Sequence, residues 1–266
     1  TPTADNTESA GATPTAGSVK IDGSNLGSAL AGTIAATRLS ANTTAGFSAI
    51  TYTGDGNVGA TFAHGLGVAP DLIIIKNLDE ADAWMVWQKD LGSSGGTNTY
   101  LLNLNTTGAI SDWSNDTIHV SGSTMVAVGS VAGPFDMINK SGEDYVCYCW
   151  ASIEGYSKVG SYTGNSNADG PFIYTGFEPA FVMIKGYSSG SSDGWFMMDN
   201  KRNTYNVQTQ FLAANATSSE ATLTTRDVDF LSNGFKLRQA TGWFNSTYDN
   251  IYLAFAESPF KYSNAR

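Results

Sequence analysis

The chain has 266 residues, and only 14% of them are charged, against about a quarter in typical globular domains. Its formal net charge of −10 argues against binding to the nucleic-acid backbone and against electrostatic attachment to an anionic membrane. Low charge, 12% aromatic residues and frequent Gly, Ser, Thr and Asn predict an all-β protein, and no apolar run approaches the length of a membrane span.

The first 46 residues predict an N-terminal arm. Residues 1–17 offer almost nothing to bury, which predicts an extended or disordered segment. A short strand-like alternation and a thin apolar stripe follow. Such a stripe cannot form a core alone, so it predicts either contact with another subunit or a short helix lying on its own domain. The residues assigned to attachment or self-association are Val19, Ile21, Leu26, Leu30 and Ile34.

Residues 47–155 predict the first of two β modules. Short apolar or alternating runs are separated by clusters of Gly, Ser, Asn and Asp, as expected for strands joined by turns. The run Leu72-Ile-Ile-Ile lacks polar alternation and predicts a central strand buried on both faces. The predicted strands are Ser48–Tyr52, Leu72–Lys76, Trp84–Gln88, Tyr100–Leu104, Thr117–Val120, Met125–Val128 and Tyr145–Ser152.

Residues 156–266 repeat this pattern. Tyr52-Thr-Gly recurs as Tyr162-Thr-Gly, and the run from Pro70 recurs from Pro179, at offsets of 110 and 109 residues. A period of this length is the size of a domain, so we expect two tandem homologous modules. Many short strands without a long amphipathic helix predict antiparallel β-sandwiches of jelly-roll type. The predicted strands of this module are Lys158–Tyr162, Phe181–Lys185, Trp195–Met198, Gln210–Ala213, Phe235–Gln239 and Asn250–Ala256.

The cysteines and histidines are interpreted as structural residues. Cys147 and Cys149 alternate onto one face of a strand, which predicts two buried thiols acting as small apolar side chains. His64 and His119 are the only histidines, and no serine or carboxylate motif places either one in a catalytic triad. We therefore expect no metal site and no cofactor.

Carboxylates need separate treatment, because glycoside hydrolysis requires two of them. Asp79, Glu80 and Asp82 cluster after a predicted strand, but the matching loop of the second module has only Asp193. We interpret the cluster as a solvated acidic loop, and we expect no enzymatic activity.

Two oxygen-rich turns follow the Tyr-Thr-Gly motifs. They are Asp55 to Asn57 and Asn165 to Asp169. Both lack the glutamate that closes an EF-hand calcium loop. We interpret both as Asx turns rather than metal sites.

Aromatic residues in polar loops are the candidate binding residues. Such rings among Asn, Asp and Ser offer stacking faces and hydrogen-bonding groups for a sugar or a protein. Packing against a neighbouring subunit explains them equally well. The residues in question are Trp113, Trp243, Phe244 and Tyr248.

Several of these motifs together resemble a structural domain of tailed bacteriophages, found on fibre-type proteins of marine and cyanobacterial phages. They are Tyr-Thr-Gly-(Asp/Asn), then Gly65-Leu-Gly-Val-Ala-Pro-Asp-Leu-Ile-Ile-Ile-Lys76, then Asp169-Gly-Pro-Phe-Ile-Tyr-Thr-Gly-Phe-Glu-Pro-Ala-Phe-Val-Met-Ile-Lys185. The resemblance covers Phe47 to Lys261. It implies a virion protein without catalytic residues.

This resemblance implies a tail-fibre or receptor-binding module attached through its N-terminal arm. The alternative is a capsid decoration or head-fibre protein, and a polysaccharide-degrading enzyme ranks third. The implied partners are other phage structural proteins, two further copies in a homotrimer, and a host surface glycan or protein. Neither nucleic acid nor membrane insertion is expected.

Overall fold

The computed structural model describes residues 18–25, 32–34, 36–94, 98–112, 116–121, 125–130, 137–188, 193–222, 227–240 and 244–258. Over these residues the chain forms strands and turns but no helix, which confirms the predicted all-β class. Within the same ranges, no helix has the length and apolarity that crossing a membrane requires.

The chain divides into two compact units. The first comprises residues 1–101 and 111–151, and the second comprises 102–110 and 152–266. Segment 102–110, which the sequence places inside the first module, thus belongs to the second unit. The second unit otherwise begins four residues before the predicted boundary at 155/156.

The first unit contains thirteen strands among its described residues. They are β1 (Val19–Ile21), β2 (Ser24–Asn25), β3 (Ala36–Asn42), β4 (Phe47–Thr53), β5 (Ala60–Ala63), β6 (Leu72–Asn77), β7 (Met85–Gln88), β8 (Ser93–Ser94), β9 (Asn98–Asn103), β10 (Ser111–Asp112), β11 (Asp116–Ser121), β12 (Met125–Ser130) and β13 (Asp144–Trp150). β9 continues into the first two residues of the second unit.

These strands form one large and one small sheet. The large sheet has the order β10-β9-β7-β6-β13-β4-β3-β1-β2, with β8 beside β9, and the small sheet has the order β11-β12-β5. β1 and β3 are parallel, whereas β3 and β4, β4 and β13, and β13 and β6 are antiparallel. β6 lies between β7 and β13, and its residues 72–75 are all buried, as predicted from their continuous apolar run.

The two sheets of the first unit enclose one core. Tyr52 and Tyr145 stack on the large sheet with ring centroids 5.0 Å apart, and Phe62 of the small sheet stacks on Tyr52 at 4.3 Å. Cys147 and Cys149 lie fully buried in this core, with their Sγ atoms 3.7 Å apart, which confirms the predicted burial of both thiols. The unit is therefore a β-sandwich.

The described part of the predicted arm belongs to this sandwich. β3 pairs with β4, β1 pairs with β3, and Val19, Ile34 and Leu39 are buried in the core. For Val19 and Ile34 this burial corrects the assignment to attachment, and for residues 36–39 the strand β3 corrects the alternative of a short helix. Apolar residues too few to form a core alone can extend an existing core as added strands. Ile21 packs partly buried against the same core, whereas residues 1–17, Leu26 and Leu30 lie outside the described residues.

The second unit contains nine strands among its described residues. They are β14 (Ser157–Thr163), β15 (Phe172–Tyr174), β16 (Pro179–Gly186), β17 (Phe196–Asp199), β18 (Gln210–Ala213), β19 (Ala221–Thr222), β20 (Val228–Leu231), β21 (Gly234–Leu237) and β22 (Asp249–Ala256).

The second unit repeats the strand order of the first. Its large sheet runs β14-β22-β16-β17-β18-β19, matching β4-β13-β6-β7-β9-β10, and its small sheet runs β15-β21-β20, matching β5-β12-β11. Phe235 of the small sheet meets Tyr162 and Tyr252 of the large sheet, with ring centroids 6.2 and 5.4 Å away. This unit is a β-sandwich too. That the two units are homologous, and that they are of jelly-roll type, stay predictions.

Candidate functional site

A buried asparagine closes the turn after the Tyr-Thr-Gly motif in the second unit. Asn245 Oδ1 accepts a hydrogen bond from the Asn165 backbone N–H at 2.9 Å. Its Nδ2 donates to the backbone oxygens of Asn167 and Gln239, at 2.7 and 2.6 Å. One amide therefore satisfies three backbone groups, and we call this arrangement a clip.

The first unit has an equivalent clip, built around the fully buried Asn139, whose amide bonds two backbone groups and one side-chain carboxylate. Its Oδ1 accepts from the Asp55 backbone N–H at 3.1 Å, and its Nδ2 donates to Asp55 Oδ1 and the Asn57 backbone oxygen, at 3.0 and 2.9 Å. Asn139 and Asn245 were missed at the sequence level. The signal was present, because each asparagine stands shortly before the aspartate, Asp144 or Asp249, that opens the last strand of its unit.

The tyrosines of the motif fasten the loop that carries the clip asparagine. Tyr52 donates its hydroxyl hydrogen to the backbone oxygen of Ile138 at 2.5 Å, and Tyr162 donates to that of Phe244 at 3.0 Å. Burial raises the pKa of both phenols well above the usual value, so each remains a donor at neutral pH.

The threonine and glycine of the motif also have structural roles. Thr53 and Thr163 donate to the carboxylates of Asp144 and Asp249, at 2.7 and 2.6 Å. A Cβ at Gly54 would overlap the backbone oxygen of Lys140, and the equivalent atom at Gly164 would overlap that of Ser246. The motif is therefore accounted for by the fold, residue by residue.

Asx turns follow each motif, as predicted. Asp55 Oδ1 accepts from the Asn57 backbone N–H at 2.9 Å, and Asn165 Oδ1 accepts from that of Asn167 at 3.0 Å. Partial burial acts to raise the pKa of Asp55, but hydrogen bonds from Asn57 and Asn139 outweigh it and hold the pKa below its usual value. These oxygens are thus already engaged by the protein itself.

The acidic loop of the first unit is part of an ion-pair network. Carboxylate oxygens of Glu80, Asp82 and Glu143 lie within 4.8 Å of one another. Lys140 pairs with Glu80 at 2.5 Å and with Glu143, while Asn77 Nδ2 donates to Asp82 at 2.9 Å and to Glu143 at 2.6 Å. The hydrogen bonds to Glu143 and Glu80 raise the pKa of the Lys140 ammonium. The Lys140 ammonium thus forms ion pairs with two of the three carboxylates.

One comparison with known proteins places the chain in a family. The family model DUF7483, described as a domain of unknown function, matches residues 4–259. The chain belongs to the DUF7483 family. The match extends across both units, so the family's domain includes both sandwiches. No curated protein and no solved structure matches the chain.

The candidate binding residues of this DUF7483 domain do not form one exposed site. Phe244 lies in the core of the second unit at 3% exposure, which corrects its assignment as a contact residue. An apolar ring beside the clip is more stable buried, although its neighbours in sequence are polar. Tyr248 is half-buried, and its backbone oxygen accepts from the Gly164 N–H at 3.1 Å. Trp113 and Trp243 lie outside the described residues.

His64 is placed as a core residue, in keeping with its structural interpretation. It is fully buried, and its Nδ1 accepts from the backbone N–H of Leu66 at 3.2 Å. Burial lowers the pKa of the imidazole to about 4, so the ring is neutral at physiological pH.

A buried lysine joins segment 102–110 to the rest of the second unit. Lys185 is fully buried, and its Nζ donates to the backbone oxygens of Thr107 and Asp193, at 3.0 and 2.6 Å. Trp195 Nε1 donates to the Asn103 backbone oxygen at 2.9 Å. Burial lowers the pKa of Lys185 to about 8, against the opposing charge of Asp193. No sequence signal marks this segment, because the protein binds its backbone.

Proposed function

We propose that this chain is a structural protein of a tailed-bacteriophage particle and serves as the receptor-binding module of a tail fibre. Its resemblance to phage fibre-type domains supports this reading. The observation that carries it is a contrast between the scaffold residues that the two units share and the side chains that only the second unit exposes. The Tyr-Thr-Gly motif and a buried asparagine recur in both units and form the clips, whereas the side chains that flank one matching core position differ, and those of the second unit are exposed.

The matching strands β5 and β15 show this contrast most clearly. Phe62 and Ile173 occupy matching core positions, opposite Val126 and Phe235 in the neighbouring strands. The flanking positions diverge completely. Thr61 and Ala63 flank Phe62, whereas the exposed rings of Phe172 and Tyr174 flank Ile173. Varied surface side chains on a repeated scaffold suit recognition, because specificity then changes without altering the fold.

The proposal includes no catalytic step. Glycoside hydrolysis needs one carboxylic acid and one carboxylate placed on either side of a bond. In the acidic loop, Lys140 and Asn77 engage the carboxylates of Glu80, Asp82 and Glu143. Desolvation acts to raise the pKa of Glu143, but hydrogen bonds from Lys140 and Asn77 outweigh it and hold the pKa below its usual value, which opposes the role of general acid.

Immunogold labelling of purified particles tests the proposal. We expect antibody against the chain to label the tail fibres, and we expect its Fab fragments to block adsorption to host cells. An unrelated Fab is the control. Label on the head would instead support the capsid decoration or head-fibre alternative, and absence of label from the particle would overturn both. Polysaccharide cleavage that a single Asp or Glu substitution abolishes would establish the enzyme.

A further inference from the structure

We propose that Phe172 and Tyr174 form a glycan-stacking platform on the second unit, which we call the aromatic platform. The identification of its ligand as a host surface glycan rests on the proposed receptor-binding function. Among the described residues, Phe172 is 44% exposed and Tyr174 is 57% exposed. Aromatic side chains of this size are ordinarily buried, so two of them exposed on one short strand require an explanation.

The alternation of β15 places both rings on the same side. Ile173 lies in the core, so its two neighbours point away from the core. Residues two apart on a strand are separated by roughly 6.6 Å. Two rings at that separation can contact successive sugar residues, since the C–H face of a pyranose is apolar and stacks on an aromatic ring.

Both rings are held in position by their neighbours. A Cβ at Gly234 would lie 2.8 Å from the Phe172 ring, so the ring rests against backbone that only glycine leaves open. Lys158 Nζ lies 5.3 Å from the centroid of the Tyr174 ring and donates to the Tyr174 backbone oxygen at 3.0 Å. A rigid platform loses little conformational entropy when a ligand binds.

Charged groups border the platform and suit a hydroxylated ligand. Lys236 is the register partner of Phe172, and it pairs with Asp169 at 2.6 Å. Lys158 lies over the other ring. Ammonium groups and a carboxylate supply the donors and acceptors that sugar hydroxyls need, and the two lysines suit an acidic sugar as well.

The matching site of the first unit shows that the fold does not require these rings. Its residues are Thr61 and Ala63, which are half-buried and buried. The chain itself covers that site, because the backbone N–H groups of Thr33 and Ile34 donate to the Thr61 backbone oxygen at 2.8 and 3.1 Å. The rings are therefore a feature of the second unit alone, where a ligand rather than a structural segment is accommodated.

The size of the platform favours a small ligand over a protein partner. Two aromatic side chains exposed to this degree present roughly 200 Å². A stable protein interface buries about 800 Å² on each partner. A sugar of one to three residues matches the smaller area, whereas a second copy of this chain would need a larger apolar surface.

The test is binding of the purified chain to a panel of hexose, N-acetylhexosamine and uronic-acid oligosaccharides, measured by calorimetry. Phe172→Thr with Tyr174→Ala installs the two residues found in the first unit. Tyr205→Ala removes a ring that is 84% exposed elsewhere and is the matched control. We expect the wild type and the control to bind at least one sugar, and the double variant to bind about tenfold or more weakly, as loss of ring stacking predicts.

A second measurement keeps the test decisive if the double variant folds poorly. In saturation-transfer NMR on the wild type, irradiated aromatic protons should transfer magnetisation to the bound sugar, and the single variant Tyr174→Ala should reduce that transfer. Three results would overturn the platform: no sugar bound, equal binding by the folded double variant, or a wild-type dimer that the double variant loses. Fibre labelling and blocked adsorption would survive such a failure, so the proposed function is judged separately.

Discussion

At the scale of single residues, the clip glycines tolerate the least change. We expect Gly164→Ala to lower the free energy of unfolding by roughly 2 kcal/mol or more, because the new Cβ would overlap the Ser246 backbone oxygen. Urea denaturation measures the change. Gly108→Ala is the matched control, since its Cβ would meet only Thr106 Oγ1, at 3.7 Å. Equal stability of the two variants would show that the clip is not rigid.

The burial of Lys185 leads to a prediction about how the free energy of unfolding depends on pH. The pKa of Lys185 is about 8 in the folded protein, against 10.5 for the ordinary side chain. Between these values the unfolded chain binds more protons than the folded one, so stability should rise with pH. We expect Lys185 to contribute an increase of about 1–2 kcal/mol in the free energy of unfolding from pH 8 to pH 9.5. Chemical denaturation across this range gives the slope.

The matched variant for this prediction is Lys185→Met, which keeps the length of the side chain and removes the titrating group. Its stability should lack the rise that Lys185 contributes, so the stability curves of the two proteins should diverge as the pH increases. Burial also raises the pKa of Cys147, Tyr52 and Tyr162, so their ionisation in the unfolded chain gives the opposite slope in both proteins, and the difference between the two curves isolates Lys185. Parallel curves for the two proteins would rule out Lys185 as the source.

At the scale of elements, β3 is a long strand that the sequence analysis did not predict. We expect Leu39→Ala to destabilise the first unit by about 2–5 kcal/mol, because Leu39 is 2% exposed and fills the core. Ser40→Ala, an exposed position on the same strand, should have little effect. Thermal melting and light scattering distinguish the two roles. Unchanged melting with altered self-association would restore the attachment hypothesis for this segment.

Apart from the seven-residue β3, the strands that the sequence missed are short, and their pattern is ambiguous. β5 reads Ala-Thr-Phe-Ala and β15 reads Phe-Ile-Tyr, so neither shows the alternation that distinguishes a buried face from an exposed one. The longer apolar runs, by contrast, predicted strands correctly. Leu72–Lys76 and Phe181–Lys185 were predicted as strands, and they fall within β6 and β16, because their apolar side chains must be buried whatever their partners are.

At the scale of the whole molecule, the proposed fibre role predicts an oligomer. Fibre-type proteins are usually homotrimers, so we expect the purified chain to have a mass near three times 28.1 kDa. Light scattering coupled to size exclusion measures it, with a dilution series to detect dissociation. A mass of 28.1 kDa at every concentration would contradict the trimer, although the β-sandwich fold of each unit would stand.

By itself, the sequence determined the all-β class, most of the longer strands and the repeat of about 110 residues that the strand orders of the two units follow. These properties depend on local chemistry, since apolar runs and turn residues act over a few positions. The tertiary structure alone decided the clips, the added strand β3 and the place of segment 102–110. The clip bonds join residues 84 and 80 positions apart, and no local pattern specifies a partner at that distance.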